Sequence, residues 1–145
     1  MKLVVDACAF VAEQIEDQPE FSAADTFFDF CVRTGIRLYS PVIVLAEVAG
    51  AIARITGGTG LGDVAVKRLG QFPKLSLRQI DLDFAETAAR AASRYKLRGA
   101  DSHYVALARE LKCPLITNDD EILDRCPPTM KIVRPDHWLK SRLHH

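Results

Sequence analysis

Four acids set far apart in the chain, Asp6, Glu47, Asp101 and Asp119, stand where side chains can do chemistry. Asp6 closes the apolar run Lys2-Leu3-Val4-Val5, and Asp119 follows a second one, Leu115-Ile116-Thr117-Asn118. Asp101 comes two residues after Gly99, at the start of a segment in which Tyr104, Leu107, Ala108 and Leu111 recur at helical spacing. Glu47 sits in the apolar stretch that follows Ser40-Pro41, on one helical line with Ile43, Gly50 and Arg54. Each acid has a plain structural explanation: a turn for Asp6, a surface pair with Arg54 for Glu47, a helix cap for Asp101. Asp119, Asp120 and Glu121, however, are three consecutive acids at a strand exit, and like charges repel. Gathered together, such carboxylates cannot all stay ionised without a compensating cation. A hard divalent ion, Mg²⁺ or Mn²⁺, is the partner an oxygen-only set calls for. It would activate water and offset charge developing on a phosphate oxygen.

The elements that would bring these acids together alternate between strand and helix. Strands are expected at Lys2–Val5, Arg37–Tyr39, Leu75–Ile80, Cys113–Thr117 and, as an edge, Lys131–Val133. Helices are expected at Ala7–Gln14, at Ser22–Thr34 (opened by a Ser22/Asp25 capping box and ended by Gly35), and at Val42–Thr56, with Ser40 as cap and Pro41 at its first position. The last of these has Leu45, Val48, Ala49, Ile52 and Ile55 as its core line. Gly57 to Gly62 reads as a flexible connection to a helix at Val64–Phe72; no Lys-Ser/Thr follows, so it is not a phosphate loop. A helix at Phe84–Tyr95 starts from an Asp83/Glu86 capping box, and a terminal helix spans Pro135–Leu143. The pattern predicts a three-layer α/β/α sandwich with a mainly parallel sheet, built as a single domain over residues 1–145. In that architecture the strand carboxyl ends share one edge, where Asp6 and Asp119 leave the sheet, Asp101 opens the helix feeding a strand, and Glu47 rides a helix leaving another.

Composition is that of an ordinary globular chain, 48% hydrophobic and 26% charged. The four cysteines, Cys8, Cys31, Cys113 and Cys126, lack zinc-site spacing and read as small buried thiols of a reducing compartment. No apolar run is long enough to span a bilayer, and Asp6 interrupts the opening run too soon for a signal peptide, so the expectation is a cytoplasmic protein with no membrane partner. The balance of 19 basic and 19 acidic residues argues on its face against a nucleic-acid ligand. That objection weakens once four of the acids are assigned to a cation, because the rest of the surface is then net basic. The closing His144-His145 pair reads as a tag remnant and is given no role.

The anchors Leu3-Val4-Val5-Asp6-Ala7-Cys8, Ser40-Pro41 through Ala46-Glu47-Val48, Arg98-Gly99-Ala100-Asp101-Ser102-His103-Tyr104-Val105-Ala106-Leu107-Ala108, and Leu115-Ile116-Thr117-Asn118-Asp119 resemble, in order and spacing, the PIN domain. Within that family they are most similar to the VapC-like ribonucleases of toxin–antitoxin modules. The resemblance implies that Asp6, Glu47, Asp101 and Asp119 form an acidic catalytic and metal-binding quartet for Mg²⁺ or Mn²⁺, serving hydrolysis of RNA phosphodiester bonds. It implies a homodimer and an antitoxin partner docking on the helix pair joined by Gly57 to Gly62, with the small residues of Ala46 to Ala53 offering a close-packing surface. Thr117 matches a small hydroxyl residue that orients a carboxylate; Cys8 departs from the family's Ser or Thr and is a poorer donor. Asp120 is the alternative to Asp119 if the turn is offset by one residue. A receiver domain would want paired acids after the first strand, where Ala7 follows Asp6 alone; of two further readings, the first is also catalytic and the second differs in class. A haloacid-dehalogenase-type phosphatase would need a second Asp where Cys8 stands, and a catalytically weak or inactive PIN fold would act only as an RNA- or protein-binding module.

Overall fold

Leu3, Val4 and Val5 have no exposed surface, as befits a strand covered on both faces, and they form the central strand of the sheet. In the computed structural model, which describes residues 1–144, β1 (Lys2–Val5) lies between β2 (Arg37–Pro41) and β4 (Leu115–Ile116). The edges are β3 (Leu75–Arg78) and β5 (Ile132–Val133), giving an all-parallel sheet in the order β3-β2-β1-β4-β5. Among the described residues eight helices connect and flank the strands: α1 (Ala7–Gln14), α2 (Phe21–Thr34), α3 (Val44–Thr56), α4 (Thr59–Gly70), α5 (Leu82–Tyr95), α6 (Gly99–Leu111), α7 (Asp120–Arg125) and α8 (Pro135–Leu143). The expected α/β/α architecture is the observed one.

The chain steps outward from β1 to β2 and β3, then crosses back to β4 on the other side of β1. Right-handed crossovers therefore place the early helices on one face of the sheet and α5 and α6 on the other. Packing agrees: α1 contacts α2 and α3, α3 contacts α4, and α8 returns to α2, while α5 packs on α6 and α6 on β1, β2 and β4. The first face holds an aromatic cluster, with Phe28 centred 4.9 Å from Phe10 and 5.0 Å from Phe72, and Phe27 edge-on to Trp138 at 5.5 Å. Strand order reverses between β1 and β4, so their carboxyl ends open a crevice of the kind in which α/β proteins bind ligands.

Local signals differ from the sequence expectations at several ends. Ser40 and Pro41 do not start a helix; both lie in β2, where Ser40 Oγ donates to the Val5 carbonyl at 2.6 Å, and α3 begins at Val44. Proline is tolerated there because it ends the strand, and the ladder continues through Val42 N–H to the Arg78 carbonyl. Ser22 is not a cap, since α2 opens from Glu20 with no side-chain cap bond. The α5 cap is Asp81, whose carboxylate accepts from Phe84 N–H at 2.8 Å, in place of the expected Asp83/Glu86 box. The core-facing line of α3 is Val44, Val48 and Ile52, with Ile55 48% exposed.

The glycine-rich segment is mostly helix. Only Gly57 and Gly58 connect α3 to α4, and Gly62 is set so close to α3 that a Cβ would fall 2.8 Å from the Ala49 carbonyl oxygen. The close approach that the small residues of α3 allow is thus taken by α4 of the same chain. All four cysteines are free, but only Cys31 is fully buried. Among the described residues no helix is long and apolar enough to cross a membrane. Of the terminal histidines, His145 lies outside the described residues.

Candidate active site

Asp6 is the first residue past β1 and the N-cap position of α1, yet its carboxylate makes no capping bond. It is 4% exposed, and its backbone is tied to β4 by a 3.0 Å bond from Asp6 N–H to the Ile116 carbonyl. Oδ2 accepts from Thr117 Oγ1 at 2.7 Å and from Cys8 Sγ at 3.3 Å. No hydrogen bond from the described residues reaches Oδ1. Burial pushes the Asp6 carboxyl up to about 6. The Thr117 and Cys8 bonds oppose that rise, and the charges of Glu47 and Asp101 add to it. The thiol at position 8 thus takes the donor's place; Cys8 also accepts from Asn118 N–H at 3.4 Å, and burial and then Asp6 push its pKa upward.

Glu47, in the first turn of α3, does not pair with Arg54. Its Oε1 accepts from the hydroxyl of Tyr104 on α6, at 2.6 Å. Burial raises the Glu47 carboxyl above its ordinary range, with Asp101 adding and the Tyr104 bond opposing. Asp101 is not a cap either, since α6 starts from Arg98 and no side chain caps it. The Asp101 carboxylate instead accepts from Arg98 Nε at 3.2 Å; it too is raised, by burial first and then by Asp119. Asp119 is the true cap of α7, its Oδ1 accepting from Glu121 N–H at 2.8 Å and Ile122 N–H at 3.2 Å. Its Oδ2 accepts from Arg98 Nη2 at 3.3 Å. Asp120, one residue on, points to Arg134, whose other guanidinium nitrogen bonds the Asn118 carbonyl at 3.1 Å.

The four acids line one cleft of about 690 Å³ at the carboxyl ends of β1 and β4, and Asp120 does not line it. Five carboxylates, counting Glu20, face it against two guanidiniums, Arg54 and Arg98. As they stand, no three carboxylate, thiol or imidazole groups among the described residues are gathered closely enough to share an ion. Arg98 lies between Asp101 and Asp119 instead. The donor chemistry nevertheless fits a hard divalent cation, because the acids are oxygen-only ligands and Asp6 is buried without any cationic partner among the described residues.

Three contributors escape a reading of sequence alone. Tyr104 sits at an apolar position where Phe would pack equally well, and its hydroxyl was the one signal of a polar partner. Arg98 was legible only as part of a basic flank. Ser40 braces the end of β1 from the neighbouring strand, a pairing that no local pattern encodes.

A family model described as PIN domain matches residues 3–126. No curated protein matches the chain. Among solved structures, the Mycobacterium tuberculosis VapC20 toxin, described as cleaving the sarcin–ricin loop, aligns with TM-score 0.68 at 15% identity, over 83% of this chain and 93% of that one. VapBC2 from Rickettsia felis, bound to a DNA fragment from its promoter, aligns with TM-score 0.67 at 10% identity, over 91% and 97%. PAE2754 from Pyrobaculum aerophilum aligns with TM-score 0.67 at 21% identity, over 99% and 96%. At these identities the likeness is one of fold.

Proposed function

The chain belongs to the PIN-domain family, and on that premise we propose that it is a Mg²⁺- or Mn²⁺-dependent endoribonuclease, the toxin of a toxin–antitoxin module. The observation that carries this reading is the cleft itself: four acids from four separate parts of the chain open into it, and the most buried of them has no counter-charge among the described residues. Asp6, Glu47, Asp101 and Asp119 would hold the ion. When bound, it supplies Lewis acidity, acidifying water and offsetting charge that develops on a phosphoryl oxygen.

The protein's own part is positioning. Thr117 and Cys8 hold one oxygen of Asp6 and leave the other to the cleft, while Tyr104 holds one oxygen of Glu47 in the same way. Asp119 is fixed by the start of α7, with one oxygen on backbone N–H groups and the other turned toward Arg98. Fixing ligands before the reaction limits the reorganisation needed during it. Arg54, at the rim and without an acidic partner among the described residues, offers positive charge to an RNA backbone. The antitoxin and homodimer belong to the same proposal; for the antitoxin, support comes from the VapBC and VapC proteins that share the fold.

The test is wild type against Asp101→Asn on one RNA, with Mn²⁺ or chelator. Partners of metal ligands are worth about 10- to 100-fold in activity or affinity, so loss of a ligand should cost at least as much. Equal cleavage by both proteins, or cleavage indifferent to chelator, would refute the proposal. RNA retained without cleavage under every condition would favour the binding-module reading.

A further inference from the structure

Arg98 is 69% exposed, and exposed arginines usually make ion pairs of little consequence. This one is placed differently. From the residue before α6 it reaches Asp101 Oδ2 at 3.2 Å in its own helix and Asp119 Oδ2 at 3.3 Å across 21 residues, with Glu121 Oε2 at 3.7 Å behind. It therefore ties the start of α6 to the start of α7 through two of the four acids.

Of the two oxygens it touches, the one on Asp119 matters more. Oδ1 of Asp119 is committed to the backbone N–H groups of Glu121 and Ile122, so Oδ2 is the oxygen that remains for any other partner. Arg98 holds that oxygen. A divalent ion and this guanidinium thus compete for the same atom, and like charge would drive them apart. Displaced, the guanidinium stays on a long side chain at the rim of the cleft, where its planar fork suits a phosphate.

Resting on the metal-dependent reading of the cleft, we propose that Arg98 is a resident counter-ion which yields Asp101 and Asp119 to the divalent ion and then binds an RNA phosphate. Metal and RNA are coupled through one side chain: each frees or captures the group that the other needs moved. Because such coupling is reciprocal, RNA should tighten metal binding by the factor by which metal tightens RNA binding.

The experiment is calorimetric titration of Mn²⁺ into wild type, Arg98→Ala and Arg98→Lys, alone and with a single-stranded 2′-O-methyl oligoribonucleotide that resists cleavage. Without oligonucleotide, Arg98→Ala should bind Mn²⁺ about three- to tenfold more tightly than wild type, the scale expected for removing one nearby cation at a solvent-screened site. Arg98→Lys, which keeps the charge but loses the fork, should fall between them. The oligonucleotide should tighten Mn²⁺ binding in wild type and do so much less in Arg98→Ala, which should also bind it more weakly. If wild type binds Mn²⁺ and Arg98→Ala binds it equally or more weakly, or if the oligonucleotide effect persists undiminished in Arg98→Ala, this inference is wrong while the metal site stands. If wild type binds no Mn²⁺ at all, the functional reading fails and this inference with it.

Discussion

Replacing Asp6 by Asn should make the metal-free protein more stable. Asp6 is 4% exposed, and its carboxyl is raised from 3.8 to about 6, with burial as the main cause. A carboxyl whose folded pKa exceeds its unfolded one binds its proton more tightly in the fold. The ionised form therefore penalises folding fully above about pH 6, and the penalty fades as pH falls toward 4. Two pH units of difference correspond to roughly 3 kcal/mol above that window, shrinking to about 1 kcal/mol at pH 4.5. Asn is nearly isosteric, carries no charge, and its carbonyl can still accept from Thr117 Oγ1. Allowing for the cost of burying an amide, the variant should gain about 1–3 kcal/mol at pH 7.5 in chelator, or roughly 3–9 °C in melting temperature for a domain of this size. Urea and thermal unfolding of both proteins, at pH 7.5 and pH 4.5, measure it. Mn²⁺ should then raise the melting temperature of wild type much more than that of Asp6→Asn. A variant less stable than wild type in chelator at pH 7.5, or a gain that does not shrink at pH 4.5, would refute the reasoning.

Two substitutions test the supports. Tyr104→Phe removes the donor to Glu47 from a fully buried position, so it should cost about 1–2 kcal/mol in urea unfolding. It should also raise the Glu47 carboxyl further and move the pH at which Mn²⁺ binding is half-maximal upward, which a titration series would show. Gly62→Ala forces a Cβ to within 2.8 Å of the Ala49 carbonyl oxygen, and parting α3 from α4 should cost about 1–3 kcal/mol. Gly60→Ala in the same helix meets nothing within 4 Å and should instead stabilise by up to about 1 kcal/mol, so melting curves of the pair isolate the close packing from helix propensity.

What could be read from the sequence, and what could not, divides along a physical line. The runs at Leu3–Val5 and Leu115–Ile116 announce strands because burial on both faces leaves no room for polar residues, and helix–strand alternation then dictates a parallel sheet. Helix starts were less legible. Ser22, Ser40 and Asp83 all stand where caps are common, but a cap requires the backbone to turn there, and the backbone turned at Glu20, Ile43 and Asp81. Gly57 to Gly62 looked like a loop because glycine weakens helices on average. Contact with Ala49 offsets that weakness at Gly62, and such contact has no trace in a local window.

The acids were legible for a different reason. A carboxylate has few rivals for holding a hard cation, so on the metal-dependent reading proposed above, chemistry constrains residue type at Asp6, Glu47, Asp101 and Asp119 even where local structure would accept many others. Their supports are not constrained in the same way. A hydroxyl at Ser40, Thr117 or Tyr104 reaches a partner 35, 111 or 57 residues away, and at each place an apolar residue of similar shape would satisfy the local pattern. Arg98 shows the same division in one side chain. Its charge is visible in the sequence, but the competition with a cation proposed for it follows only because α7 spends the other oxygen of Asp119 on its own first turn. The capping bonds that secure this acid structurally thus set which of its oxygens is left to Arg98, and through it, on the proposed reading, which arginine must move.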